Sequence, residues 1–325
     1  MCGQEITEDT TLDSDLSCAS GPALIIAADN VTLDLGGHTV SGEPGMSGDS
    51  PGILLRTVNG ATVTNGTVQH FGAGVSIVGG SGNAVQNVIA QDNIGSGPDF
   101  GDGIVVNDSS GNRIVGNTVR RNGPFSGISL LQDAQGNEVR DNTVSDNNML
   151  HLRDPVAGRQ CMGIRIEGPA ANNNTVVGNT VTGSGSSGIT VHPTCADPGT
   201  DPPCVGAPPN EENEVVGNTS SRNGTSGQGD GIKLFVTPNA VAPARNTIAD
   251  NVADDNATNG VAIDGPGVAG GPGNQVLRNR ASGNSGGFDG FDGNTTPACG
   301  ANLWSQNDFG TVNQPCVRGA QATAG

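Results

Sequence analysis

The 325-residue chain has no tyrosine, one tryptophan (Trp304), seven phenylalanines and a single lysine, Lys233; its other basic side chains are arginines. So few rings exclude a core built on bulky aromatic packing and leave Val, Ile and Leu to make a thin, repetitive one. Base is scarce too. Against 32 acidic residues it leaves a net charge of −18, which argues against nucleic acid as a partner. No apolar run approaches membrane-spanning length, so no membrane partner is expected. The opening Met1-Cys2-Gly3-Gln4 lacks a hydrophobic targeting segment and reads as a start placed ahead of a mature, secreted domain.

Seven cysteines fit an oxidising compartment. Proximity in sequence pairs Cys2 with Cys18, Cys195 with Cys204, and Cys299 with Cys316. Cys161 is left over and reads as a buried, inert thiol.

What the chain has in quantity is glycine, 53 residues, and a recurring asparagine phrase. It runs "NRIVGNTVRRN" from Asn112, "NEVRDNTVSDN" from Asn137, "NTVVGNTVTGS" from Asn174 and "NEVVGNTSSRN" from Asn213. It continues as "NTIADNVADDN" from Asn246 and "NQVLRNRASGN" from Asn274. A second phrase alternates with it: "GDGIVV", "FSGISL", "CMGIRI", "SSGITV", "GDGIKL", "TNGVAI". Each unit holds two or three short β-branched segments between Asn/Gly corners, without helical periodicity. One unit cannot bury its apolar residues, but stacked units can, each strand pairing about 4.8 Å above and below its counterparts. Asparagines at matching corners can hydrogen-bond along the stack and tolerate the backbone of sharp corners, so their columns read as structural.

At these residues the chain resembles the right-handed parallel β-helix proteins of the pectate-lyase-like superfamily, over roughly residues 20 to 310. "NVTLDLGGHTVSG" (30–42) is similar to the first coil of many of them. The resemblance implies an all-β, single-stranded right-handed parallel β-helix with disulfide-bracketed terminal caps. The expected division is a cap segment at 1–20, the solenoid at 21–294, and a cap and tail at 295–325, one domain overall. Some β-helices trimerise, so a monomer or a homotrimer is expected.

Strand side chains alternate between faces. If the first and third residues after each glycine point inward, the second and fourth form an outward ribbon. In order it reads Leu54/Arg56, Ser76/Val78, Val105/Asn107, Ser129/Leu131, Arg165/Glu167, Thr190/His192, Lys233/Phe235 and Ala262/Asp264. Its middle is polar: Arg165, Glu167, His192, Lys233, Phe235 and Asp264 fall on four consecutive coils. Insertions at 148–161, 193–212 and 236–245 flank these strands and read as groove walls, from which His151, Arg153 and Asp154 reach in. The plainer reading is a solvated face of paired charges.

Cations in a groove favour a carboxylated sugar, a uronate polymer. The accessible chemistry is then removal of the C5 proton, giving β-elimination or epimerisation. Lys233, its pKa depressed by burial and a nearby arginine, is the expected base. Arg165 pairs with the substrate carboxylate, and His192 or Lys233 serves the leaving oxygen. Glu167, Phe235, Asp264, Asp230, His151, Arg153 and Asp154 are expected to bind substrate. This looks like the β-helix alginate and dermatan lyases, in which a lysine and an arginine on this face do the proton work. One alternative is glycoside hydrolysis or fructan transfer by two carboxylates, Glu167 with Asp154 or Asp264. The clustered Asp pairs and "GHG" phrase of pectin hydrolases are absent. The other alternative is a non-catalytic adhesin.

No cofactor is required. Ca²⁺ is the ion the acidic residues admit, at Asp102 and Asp230, with Asp99 nearby, although Asp before Gly is ordinary turn chemistry. "FDGFDG" (288–293) lacks the pattern of a defined Ca²⁺ loop, Asp254 and Asp255 sit in a corner phrase, and His38 and His70 read as structural.

Overall fold

The computed structural model describes residues 2–44, 49–96, 100–147, 161–168, 170–193, 210–235, 242–264 and 272–319. Their regular structure is strand, apart from one 3₁₀ turn at Pro315–Arg318. No helix among them is long and apolar enough to cross a membrane.

The glycine phrases form one eleven-stranded sheet. Its strands are β1 (Gln4–Ile6), β2 (Leu24–Ile26), β3 (Pro51–Arg56), β4 (Ala73–Val78), β5 (Ile104–Asn107) and β6 (Ser126–Leu131). They continue as β7 (Met162–Glu167), β8 (Ile189–His192), β9 (Ile232–Phe235), β10 (Val261–Asp264) and β11 (Gly290–Asp292). Every neighbouring pair is parallel. The asparagine phrases supply the other walls. Arg113–Val115 stacks on Glu138–Arg140, Thr175–Val177 and Glu214–Val216, and Thr118–Arg120 stacks on Thr143–Ser145 and Thr180–Thr182.

The alternation in the sequence sets the register. Ile104, Ile128, Ile164, Ile189 and Ile232 stack with Val106, Leu130, Ile166, Val191 and Leu234, all fully buried. Each such side chain contributes roughly 1.5–3 kcal/mol by leaving water. The glycine before them is a matter of space. A Cβ on Gly163 would lie 2.2 Å from Val181 Cγ1 and 2.6 Å from the Gly188 carbonyl oxygen. The coils therefore meet at a corner too narrow for any side chain.

The asparagines form hydrogen-bonded columns, as the phrase predicts. The first runs Asn83, Asn112, Asn137, Asn174, Asn213, Asn246, Asn274, Asn302. The second runs from Asn117 to Asn307. At each step the Oδ1 of one asparagine accepts both the backbone N–H and the Nδ2 of its neighbour on the preceding coil, as Asn142 does from Asn117 at 2.9 and 3.0 Å. A third column starts at Asn93 and passes Asn122 and Asn147; Ser184 interrupts it before Asn223, Asn256 and Asn284.

"FDGFDG" closes the far end. Asp289 accepts from Asn284 at the foot of the third column, and Asp292 accepts from Asn302 at the foot of the first and from Trp304 Nε1 at 2.8 Å. Disulfides join Cys2 to Cys18 and Cys299 to Cys316. Cys195 and Cys204 lie outside the described residues. Cys161 is buried and its Sγ donates to the Pro124 carbonyl at 2.8 Å.

Candidate functional site

The pairing reproduces the expected ribbon. Ser129 lies beside Arg165, Arg165 beside Thr190, and Thr190 beside Lys233; Leu131 lies beside Glu167, and Glu167 beside His192. A third outward row, in the position just before each glycine, was not in that reading. It contains Asp102, Ser126, Met162, Ser187, Asp230 and Asn259. Two of its members complete the site.

Arg165 is only 3% exposed. Its Nη1 lies 2.6 Å from Glu167 Oε2, and its guanidinium sits 3.8 Å over the Phe125 ring. Its Nε contacts Met162 Sδ at 3.2 Å. The expected open clamp for a substrate carboxylate is thus a cation already engaged with a carboxylate and a ring.

His192 is buried, stacked on Phe235 with centroids 4.1 Å apart, and its Nε2 lies 3.7 Å from Glu167 Oε2. Burial pushes its pKa down to about 3; Glu167 opposes this, while Arg165 and Lys233 add to it. At neutral pH the imidazole is therefore uncharged, and the approach to Glu167 is not an ion pair. The unfolded chain takes up this proton first as pH falls. The stability linked to His192 is complete above about pH 6.5 and is lost toward pH 3. Urea unfolding should show wild type losing about 2–3 kcal/mol more than His192→Gln between roughly pH 7 and 4.5. Equal losses in the two proteins would contradict this.

Lys233 corrects an expectation. Its Nζ lies 3.0 Å from Asp264 Oδ2 and 3.4 Å from Asp230 Oδ2. Burial acts to lower its pKa, but the two carboxylates outweigh burial and hold it above its ordinary value. An ammonium so placed is a poor base. Asp230 is itself buried and accepts from the Asn259 backbone N–H at 3.0 Å and Nδ2 at 2.6 Å.

Asp102 is the residue that sequence reasoning set aside as a turn. It is 4% exposed, and Ser129 Oγ donates to its Oδ1 at 2.5 Å. Burial raises its pKa to about 7; the Ser129 hydrogen bond and Arg165 act in the lowering direction, and Glu167 adds to the rise. It lines a cavity of about 280 Å³ together with Asp49, Phe100, Asn107, Val105 and Leu131. Asn107 contributes a buried Oδ1 that makes no hydrogen bond among the described residues. Asp49 is exposed and accepts from Ser96 Oγ. The strand pattern gave no signal for Asp102: strict alternation puts it on the inward face with Ile104. It comes outward only because the alternation breaks at Gly103, where a Cβ would meet Val119 and Asn122 inside the coil.

Other candidates divide plainly. His151, Arg153, Asp154 and Asp99 lie outside the described residues, as does most of the three insertions. His38 faces Asp15 at 3.4 Å and His70 faces Ser41 at 3.2 Å, both within the coil stack. Asp254 accepts from Arg280 and Ser282. Among the described residues no group of three or more His, Cys, Asp or Glu side chains is arranged to hold a metal ion. Asp102 and Asp230, the expected Ca²⁺ contacts, stand on different coils and face Ser129 and Lys233 instead.

The family model "Right handed beta helix region" matches residues 26–199, more than half of the chain. No curated protein matches the sequence. Among solved structures, the chain is similar to the A-module of the Azotobacter vinelandii mannuronan C-5 epimerase AlgE4, with a TM-score of 0.61 and 14% identity over 94% of this chain and 87% of that one. It is similar to pectate lyase Pel9A, with a TM-score of 0.53 and 14% identity over 92% and 72%. A variant of the periplasmic alginate epimerase AlgG matches with a TM-score of 0.53 and 14% identity over 81% and 66%. Identities this low speak for the fold.

Proposed function

Because the chain belongs to the right-handed β-helix family, we propose that it cleaves a polysaccharide laid along the outward face of the eleven-stranded sheet, by carboxyl acid–base chemistry at Asp102. The solved structures that share this fold carry the names of a mannuronan epimerase, a pectate lyase and an alginate epimerase, which supports a polysaccharide as substrate. The protein is read as secreted. Two disulfides and the acidic surface support that.

The carrying observation is Asp102 itself, a carboxyl buried in a mostly apolar cavity whose lining also includes a second carboxylate, Asp49. An efficient general acid has a pKa near the working pH. Lys233 is held above its ordinary value and His192 is pushed down to about 3, whereas Asp102 stands at about 7. Two carboxyl groups in unlike environments are what hydrolysis of a glycosidic bond uses: a buried acid protonates the leaving oxygen, and a solvated carboxylate activates water or attacks the sugar. Asp102 takes the first part and Asp49 the second. The pairs expected from sequence, Glu167 with Asp154 or Asp264, give way to this one: Glu167 is tied to Arg165, Asp264 to Lys233, and Asp154 is undescribed.

Uronate elimination or epimerisation is the second reading, favoured by Arg165 and Lys233 standing on one ribbon. A panel of neutral and uronate polymers separates the two. New reducing ends without the ultraviolet absorbance of an unsaturated sugar are expected. An ultraviolet rise on a uronate polymer that vanishes in Lys233→Ala would establish elimination instead. Unchanged polymers throughout would leave a binding protein.

A further inference from the structure

A larger cavity, about 620 Å³, lies farther along the same face and is not used by the chemistry assigned to Asp102. Its lining includes Asp230, Lys233, Asn259, Asp264, Phe288 and Phe291. In a chain with 2% aromatic residues, two rings on one cavity call for an explanation. Phe288 is 36% exposed and Phe291 half-buried; their centroids are 6.3 Å apart with the planes inclined by 22°. The near-parallel rings thus make an apolar wall beside a charged floor. Much of the remaining wall is glycine backbone, at Gly227, Gly229, Gly286 and Gly287, where no side chain stands between a ligand and the main chain.

The floor decides the ligand. Lys233 is the cation of this cavity, and its Nζ contacts two carboxylates, Asp230 and Asp264. A carboxylated sugar arriving there would meet one positive charge already matched against two negative ones. An uncharged sugar meets no such penalty. Its C–H face can lie on the rings, and its hydroxyls can donate to Asp264 and accept from Lys233.

We infer that this cavity is a binding subsite for an uncharged sugar of the polymer, with Phe288 and Phe291 as its platform and the Lys233–Asp264 pair reading its hydroxyls. Phe100 stands exposed at the Asp102 cavity, so apolar rings flank both ends of the polar ribbon. From β5 to β11 is six strand steps, about 29 Å. One glycan chain of several sugars can therefore occupy both cavities. The inference rests on the reading of this face as polysaccharide-binding, and it narrows the substrate to a glycan that is neutral at this position.

Affinity electrophoresis of the intact protein in gels containing neutral glucans, xylans or mannans, or alginate or polygalacturonate, tests it without requiring turnover. Retardation by at least one neutral glycan is expected, weakened tenfold or more in Phe288→Ala and in the Phe288→Ala/Phe291→Ala double variant. Phe288 is exposed, so the single variant guards against misfolding of the double one, with circular dichroism as the check. Asp102→Asn should still be retarded. If that variant also kept its turnover, the catalytic assignment would fail while the subsite stood. Retardation by uronate polymers alone, retardation unchanged in Phe288→Ala, or none in any gel would overturn the subsite.

Discussion

Asp102→Asn is expected to abolish turnover and, at about pH 8, to make the folded protein harder to unfold. A general acid of this kind supplies about 10²–10⁴ in rate, and asparagine cannot replace it. The stability change has the opposite sign. The folded value, about 7, lies above the ordinary 3.8, so the folded chain holds this proton more tightly than the unfolded chain does. That contribution is complete below about pH 3.8 and is lost as pH rises through 7. Above 7 the carboxylate is charged in a buried place, at a cost of up to about 4 kcal/mol. Asparagine keeps a hydrogen-bonding partner for Ser129 and carries no charge. The stability gap between variant and wild type should open between about pH 4 and 8, read from urea midpoints. A constant gap would mean that Asp102 does not titrate as described, and full activity in the variant would remove it from catalysis.

The second large effect concerns the asparagine columns. Asn142 is 1% exposed; its Oδ1 accepts from Asn117 N and Nδ2, and its Nδ2 donates to the Ile114 carbonyl at 2.8 Å and to Asn179 Oδ1 at 2.9 Å. Alanine there strands several buried polar groups at once. Each costs about 1–3 kcal/mol, so Asn142→Ala should lose roughly 3–6 kcal/mol, much of what an ordinary domain possesses. Arg278→Ala is the control. It removes an exposed pair with Asp250, a contact of 2.7 Å notwithstanding, and should leave the urea midpoint almost where it is in wild type. Comparable urea midpoints for the two variants would show that the columns do not hold the coils together.

These columns and the outward ribbon were legible in the sequence because both follow from a fixed period. Once the glycine phrase sets the phase, alternation places Arg165, Thr190 and Lys233 side by side, as the pairing has them. The charge state of the ribbon was not legible. Whether Lys233 is lowered or raised depends on Asp230 and Asp264 meeting at one Nζ, and Asp264 arrives from the next coil. Asp102 was passed over for a related reason. "Asp-Gly" is ordinary turn chemistry in sequence, and only burial against Ser129 distinguishes this one. The role of "FDGFDG" was equally hidden, since a carboxylate that ends a hydrogen-bond column has no local signature.

That ending gives the solenoid a direction. Along the columns each asparagine donates its backbone N–H and one Nδ2 hydrogen to the Oδ1 of the following coil's asparagine, toward the C-terminal end, while its own Oδ1 accepts from the coil before. Two copies could continue one another only head to tail, a heterologous contact that closes no ring and lengthens without limit. Asp289 and Asp292 stand where the third and first columns would otherwise present donors to a following coil. A carboxylate offers only acceptors, so it satisfies those last amides and has no donor to pass on. The acidic phrase thus ends the first and third columns with acceptors alone.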